Sequence, residues 1–404
     1  MSQVAQPHAV RARLFGPGAA LYLQASIIAT FLAGSSAPTA LYAVYQSSMG
    51  FSATMLTVIF GVYAFGVLAA LLVLGRLSDY VGRRPVLLLA TAMQAASMLL
   101  FVVAESTWHL LAARLIQGLI TGAAVAAAGA GMLDIHKQNG GIANSVAGPA
   151  GTALGGILSG LFVQFLPAPT TLIYTYLAAI YLLQFAGILQ IAETVSPRAG
   201  GLKSLIPRLA LPNAVRGAVY RTIPTLIAIW AVAGFYASLG PKLVHGFGGE
   251  HASLVAGIAL AVLTSFGAAT GLATQKAQPL KMLGWSSGAL IAGLAVSAIG
   301  VHQSSVVVFM VGTAMLGAGF GMGMQGAFRS VAALLGAQDR AGVLSILYIV
   351  SYLAMGMPAI LAGLRLTATG NVQRTAEEFG VAIFALVLVT LLAGVRSGDR
   401  RLSA

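Results

Sequence analysis

The sequence predicts an all-α integral membrane protein, with twelve transmembrane helices in two six-helix bundles, on three observations. Hydrophobic residues make up 58% of the 404 residues and charged residues 8%, with a mean hydropathy of +0.90, whereas a soluble domain carries roughly 25% charged residues. Apolar runs long enough to cross a ~30 Å hydrocarbon core, which takes about 20 residues, recur twelve times. Lysine and arginine crowd into alternate connections, which is the bias that orients helices in a bilayer.

Taken in order, the first six runs fall at about 19–43, 54–74, 86–104, 108–132, 141–166 and 170–191. Residues 192–222 then break the pattern. They hold Glu193, Arg198, Lys203, Arg208, Arg216 and Arg221 with Pro197, Gly200 and Pro207 close by, and read as a linker. The second six runs lie at about 223–243, 252–274, 282–301, 304–328, 341–363 and 378–396. The expected organisation is an N-terminal bundle over 1–191, a cytoplasmic linker over 192–222 and a C-terminal bundle over 223–404.

With the amino terminus placed in the cytoplasm, eighteen basic residues fall inside. Three fall outside, Lys242, Arg365 and Arg374, and Arg114 lies within a span. An odd number of spans would destroy this alternation, so both termini are expected in the cytoplasm, with Arg11 and Arg13 in a short polar tail; short tails without a transit-type leader fit a multi-pass protein of a bacterial inner membrane. The net charge of +13 is thereby assigned to topology and not to nucleic acid. Forty-nine glycines favour close helix approach. There is no cysteine, which removes disulfides and thiol chemistry. His8, His109, His136, His245, His251 and His302 sit in tails, loops or span ends. No metal site, cofactor or enzyme activity is expected, and a channel would need a filter or charge ring that is not visible.

Between the second and third runs the chain reads Gly75-Arg76-Leu77-Ser78-Asp79-Tyr80-Val81-Gly82-Arg83-Arg84-Pro85. The loop must reverse direction in about ten residues, which suits Gly75 and Gly82, and Pro85 fits the first turn of the next helix. Asp79 has arginines on both sides, so it can pair with one or sit at a helix amino terminus. This spacing resembles the signature loop of the major facilitator superfamily. The resemblance implies the major facilitator fold and a conformational latch made by Gly75, Asp79, Gly82, Arg83 and Arg84, in which Asp79 and Arg83 bridge neighbouring helix ends and stabilise the outward-facing state. Tyr80 departs from the basic residue usual there.

In the fourth run, Arg114 and Gln117 are three residues apart and share a face, followed by Gly118 and Gly122. An arginine at this depth is costly and faces a bundle interior or a cavity, unless it snorkels to the interface. The pair resembles a fourth-helix motif of proton-coupled members of the superfamily. The fifth run carries Gly148, Pro149, Gly151, Gly155, Gly156 and Gly160. These are small-residue spacings for helix packing with one bending proline, and they partly resemble the fifth-helix motif of drug:proton antiporters.

Transporters of this kind bind near the midplane between repeats. The candidate substrate residues are Ser36, Thr39 and Tyr42 of the first run, Arg114 and Gln117 of the fourth, Asn144 of the fifth, Trp230 and Tyr236 of the seventh, Gln325 of the tenth, and Tyr348 and Tyr352 of the eleventh. No aspartate or glutamate falls in the middle of a run; Glu105, Asp134 and Glu193 lie at ends. The resemblance implies a monomeric secondary transporter that takes a small-molecule substrate by alternating access, with proton-coupled efflux of drugs or amphipathic metabolites as the leading expectation. Proton-coupled uptake of a small organic acid or sugar is the alternative.

Overall fold

The computed structural model describes residues 15–207, 209–336 and 339–402; Arg11, Arg13 and Arg208 of the basic census lie outside these residues. Among the described residues there is no strand, and eleven helices are long and apolar enough to cross a membrane. The spans are Pro17–Met49, Ala53–Val73, Arg83–Val102, Thr107–Ile135, Lys137–Phe165 and Pro169–Ile188 in the first six. Asn213–Ser238, Ala252–Ala273, Pro279–His302, Val306–Ala332, Arg340–Thr369 and the twelfth long helix, Val372–Leu402, form the second six. Twelve spans place both ends of the described chain, and the connection 189–212, on one face, called here the terminal face.

Local chemistry explains most boundaries. Prolines occupy the first turns at Pro17, Pro169 and Pro279, where the missing N–H costs nothing. Gly50 and Gly370 end helices in the left-handed conformation at φ 69° and 66°. The seventh span begins at Asn213, inside the segment expected as linker. Its first turns are amphipathic: Val215, Val219 and Thr222 are buried while Arg216 and Arg221 are exposed, and averaging hydropathy over such a stretch conceals the helix. Large apolar side chains such as Leu183, Val307, Val381 and Val389 point outward around the perimeter. In a bilayer these are lipid contacts, and helices satisfy every backbone group internally there.

The two halves meet chiefly through two helix pairs, the second with the eleventh span and the fifth with the eighth. Both contacts lie away from the terminal face. Thr54 bonds Thr367 side chain to side chain at 2.8 Å and donates to the Gly363 carbonyl at 3.3 Å. A Cβ on Gly61 would come within 2.9 Å of Ile360, and one on Gly356 within 2.7 Å of Phe65. In the other pair, a Cβ on Gly156 would lie 2.9 Å from the Gly257 carbonyl and one on Gly160 2.9 Å from the Leu254 backbone. Helices without side chains at the crossing approach backbone to backbone, which supplies dispersion contact where lipid gives no hydrophobic drive. Toward the terminal face the fifth span behaves differently. Asn144 and Ser145 are exposed, and a Cβ on Gly148 would meet nothing within 4 Å.

Candidate functional site

Pro38 breaks the first span into Pro17–Ser36 and Pro38–Met49. A proline supplies no N–H to the carbonyl four residues back, so Gly34 loses its helical donor. The fourth span replaces it: Gln117 donates from Nε2 to the Gly34 carbonyl at 2.9 Å, and Arg114 donates from Nη1 to the Ser35 carbonyl at 2.9 Å and to Gln117 Oε1 at 2.6 Å. Gly118 lets the second span press in, since a Cβ there would collide with the Tyr63 carbonyl. That approach sets the Tyr63 ring under the guanidinium, 4.2 Å from Arg114 Cζ to the ring centroid, a cation–π contact. Arg114 is 1% exposed, and so it faces the bundle interior and does not snorkel.

Around this arginine stand hydroxyls without partners. The Tyr42, Tyr45, Tyr174 and Thr121 hydroxyls and Arg114 Nε are buried with no hydrogen bond, and Tyr42 is close enough to feel the Arg114 charge directly. The cluster continues across the molecule. Tyr63 and Tyr352 lie near each other across the two halves, the Tyr352 ring lies 5.3 Å from Trp230, and Trp230 meets Phe320 edge-on at 5.6 Å. Trp230 Nε1 is also buried without a partner. Tyr348 packs against Phe328 at 5.4 Å one turn from Tyr352. Arg114, Gln117, Tyr42, Trp230 and Tyr352 thus fall along one path from the first half to the second, and Tyr63 is the link that sequence reasoning missed.

Other candidates are held elsewhere. The Ser36 hydroxyl, with one hydrogen to donate, lies within hydrogen-bond distance of the Leu32, Ala33 and Thr152 carbonyls in the packing of the first span on the fifth. Tyr236 shares a 2.9 Å hydrogen bond with Thr313 and stacks on Phe309, inside the second half. Thr39 is buried, Gln325 lies against Gly271, and Asn144 sits exposed beside Gly129. A Cβ on Gly122 would meet Val67 and Ala70 and one on Gly155 would meet Ala33 and Ser36, and Pro149 lies inside the fifth helix.

A second cluster occupies the terminal face. Arg83 donates to Asp79 at 2.5 Å, to the Ser78 hydroxyl at 2.7 Å and to Asp134, at the end of the fourth span, at 3.2 Å. Gly82, at φ 102°, makes the turn before it. A Cβ on Gly82 would lie 2.5 Å from Glu193, whose carboxylate accepts the backbone N–H groups of Arg83 and Arg84 at 2.9 Å each and those of Thr194 and Val195. A carboxylate at the first N–H groups of the third span is favoured by the helix dipole. Arg84 donates to the Ile188 and Leu189 carbonyls at the end of the sixth span. Arg198 stacks over Tyr80 at 4.7 Å. This cluster therefore ties together ends of the second, third, fourth and sixth spans. Asp134 and Glu193 were legible in the sequence only as acids at span ends on the arginine-rich face.

The comparisons with known proteins agree with one another. A family model described as Major Facilitator Superfamily matches residues 24–359. No curated protein matches the chain. Among solved structures, a mutant form of the nucleoside transporter NupG superposes with a TM-score of 0.74 at 12% identity, covering 93% of this chain and 99% of that one. A bacterial homologue of the human lysosomal transporter Spinster, inward-facing and unoccupied, gives 0.69 at 13%, covering 94% and 95%. The xylose transporter XylE from E. coli, partially occluded and inward open, gives 0.70 at 12%, covering 94% and 98%.

Proposed function

From the chain's membership of the Major Facilitator Superfamily, we propose that it is a secondary active transporter of small organic molecules that works by alternating access and expels amphipathic compounds in exchange for protons. The observation that carries the alternating-access reading is the one-sided seal. The halves close through Thr54–Thr367 and Gly156–Gly257 away from the terminal face, while the fifth span is open toward it. If the halves 1–191 and 223–404 rock about the Arg114–Trp230 path with 192–222 as their linker, that path opens to one side at a time. The basic bias supports reading the terminal face as cytoplasmic, which makes the conformation inward-open; on the same reading the transporter is a monomer of a bacterial inner membrane with both termini inside. The latch, Gly75, Asp79, Gly82, Arg83 and Arg84, is released from the second half in this state and engages it when the outward-facing state forms.

Efflux rests on the resemblance of the fourth and fifth spans to antiporter motifs. Uptake of a small organic acid or sugar is the second reading, favoured by the buried cation at Arg114 and by the nucleoside and xylose transporters among the similar folds. Everted membrane vesicles energised by respiration, with interior pH followed as cationic drugs and small organic acids are added, test the choice. Alkalinisation by a compound is the result expected of proton antiport. No response to any compound, with the protein verified in the membrane, overturns proton-coupled efflux in favour of uptake or of a different coupling ion.

A further inference from the structure

Two arginines are buried among the described residues, and they are provided for differently. Arg83 faces two carboxylates, Asp79 and Asp134. Arg114, the more deeply buried, has no acid among its ion pairs or hydrogen bonds. A guanidinium taken out of water without an opposite charge is costly. Two neutral oxygens on Nη1 and the face of Tyr63 offset only part of that cost, and Nε has no acceptor at all.

The surroundings add donors and no anion. The Tyr42 hydroxyl beside Arg114 is without a hydrogen bond, while those of Tyr45 and Tyr174 behind it lie near each other. A phenol with no acceptor in reach is a free O–H donor. Beyond Tyr63 the path turns aromatic through Tyr352, Trp230 and Phe320. Such a site holds one positive charge, an excess of donors and a flat apolar wall.

We propose that the transported molecule itself supplies the missing charge: the substrate is an organic monoanion, a carboxylate or similar oxyanion on an aromatic or flat apolar body, with the anion on Arg114 and Tyr42 and the body against Tyr352 and Trp230. This rests on the transporter reading above. A single guanidinium matches one negative charge, and it repels the cationic compounds that an aromatic cage would otherwise attract.

The test uses the purified full-length protein carrying Trp108→Phe and Trp285→Phe, so that Trp230 reports alone. Fluorescence and thermal-unfolding midpoint are followed with benzoate and phenylacetate, with benzamide as the neutral counterpart and benzylamine as the cation. Carboxylates are expected to quench Trp230 and raise the midpoint, with the amide bound roughly ten- to a hundredfold more weakly. Arg114→Gln should erase that difference, and Arg114→Lys should keep part of it. Because Arg114 also braces the first span, the carboxylate and amide comparison on unsubstituted Arg114 protein decides the matter even where the variants do not fold. Benzamide or benzylamine binding as tightly as benzoate overturns the monoanion and leaves transport standing. Binding of none of these probes overturns the aromatic monoanion class, and the vesicle assay, read on its own compounds, shows separately whether transport survives.

Discussion

Arg114 and Gln117 do at the residue scale what a helix cannot do for itself at Pro38: they occupy carbonyls in the break of the first span. Removing one leaves a buried acceptor unsatisfied, which costs about 1–3 kcal/mol. Arg114→Ala is therefore expected to lower the thermal midpoint of the purified protein and to abolish transport in vesicles while the protein still reaches the membrane. Transport at the wild-type rate would remove the arginine from the pathway. Tyr63→Leu separates the aromatic role from packing: the ring under the guanidinium contributes about 0.5–2 kcal/mol, so midpoint and transport should both fall, whereas Tyr63→Phe keeps the face and should preserve the midpoint.

At the scale of elements, the terminal-face cluster is an arrangement of helix ends. Glu193 holds the first N–H groups of the third span, and Arg84 the last carbonyls of the sixth. Glu193→Gln keeps one acceptor oxygen but loses the charge at the helix N-terminus, and is expected to destabilise the protein by about 1 kcal/mol, seen as a lowered midpoint. Asp79→Asn weakens the pair with Arg83 while Asp134 still holds that arginine. It should reduce turnover with little change in apparent substrate affinity, measured as initial rates over a substrate series. A loss of affinity at normal turnover would argue against a latch.

For the whole molecule, the relation of the two halves governs function, and the chain has a useful property for testing it: it contains no cysteine. The Thr54 and Thr367 hydroxyls are 2.8 Å apart across the seal. A Thr54→Cys, Thr367→Cys double variant is expected to form a disulfide under oxidation that stops transport, with activity returning on reduction. Uninhibited transport in the cross-linked protein would mean that this face need not open. A leucine at Gly156 would wedge the fifth and eighth spans apart, since the Gly257 carbonyl stands 2.9 Å from where a Cβ would be. Faster thiol labelling of a lone Thr54→Cys in that background would report the loosened seal.

The sequence by itself determined the class of fold, because burial in lipid imposes helices and the apolar runs and arginine-rich loops record them directly. It also marked Arg114 and Gln117, since a charge at that depth is too costly to be idle. It did not disclose that their partners are Gly34 and Ser35 carbonyls, because a backbone oxygen freed by Pro38 leaves no trace in composition. Nor could it separate Ser36 and Tyr236, which are engaged in helix packing, from Tyr42 and Tyr352, which lie along the central path: all four are polar or aromatic residues within apolar runs, and only the rotation of each helix decides which way they turn. Tyr63 was overlooked for the same reason, and Glu193 because its four N–H partners are assembled only when the third and sixth spans end side by side. Pairing of the second span with the eleventh and the fifth with the eighth, and the face on which they close, belonged wholly to the tertiary structure, since glycines at a crossing specify closeness without naming the neighbour.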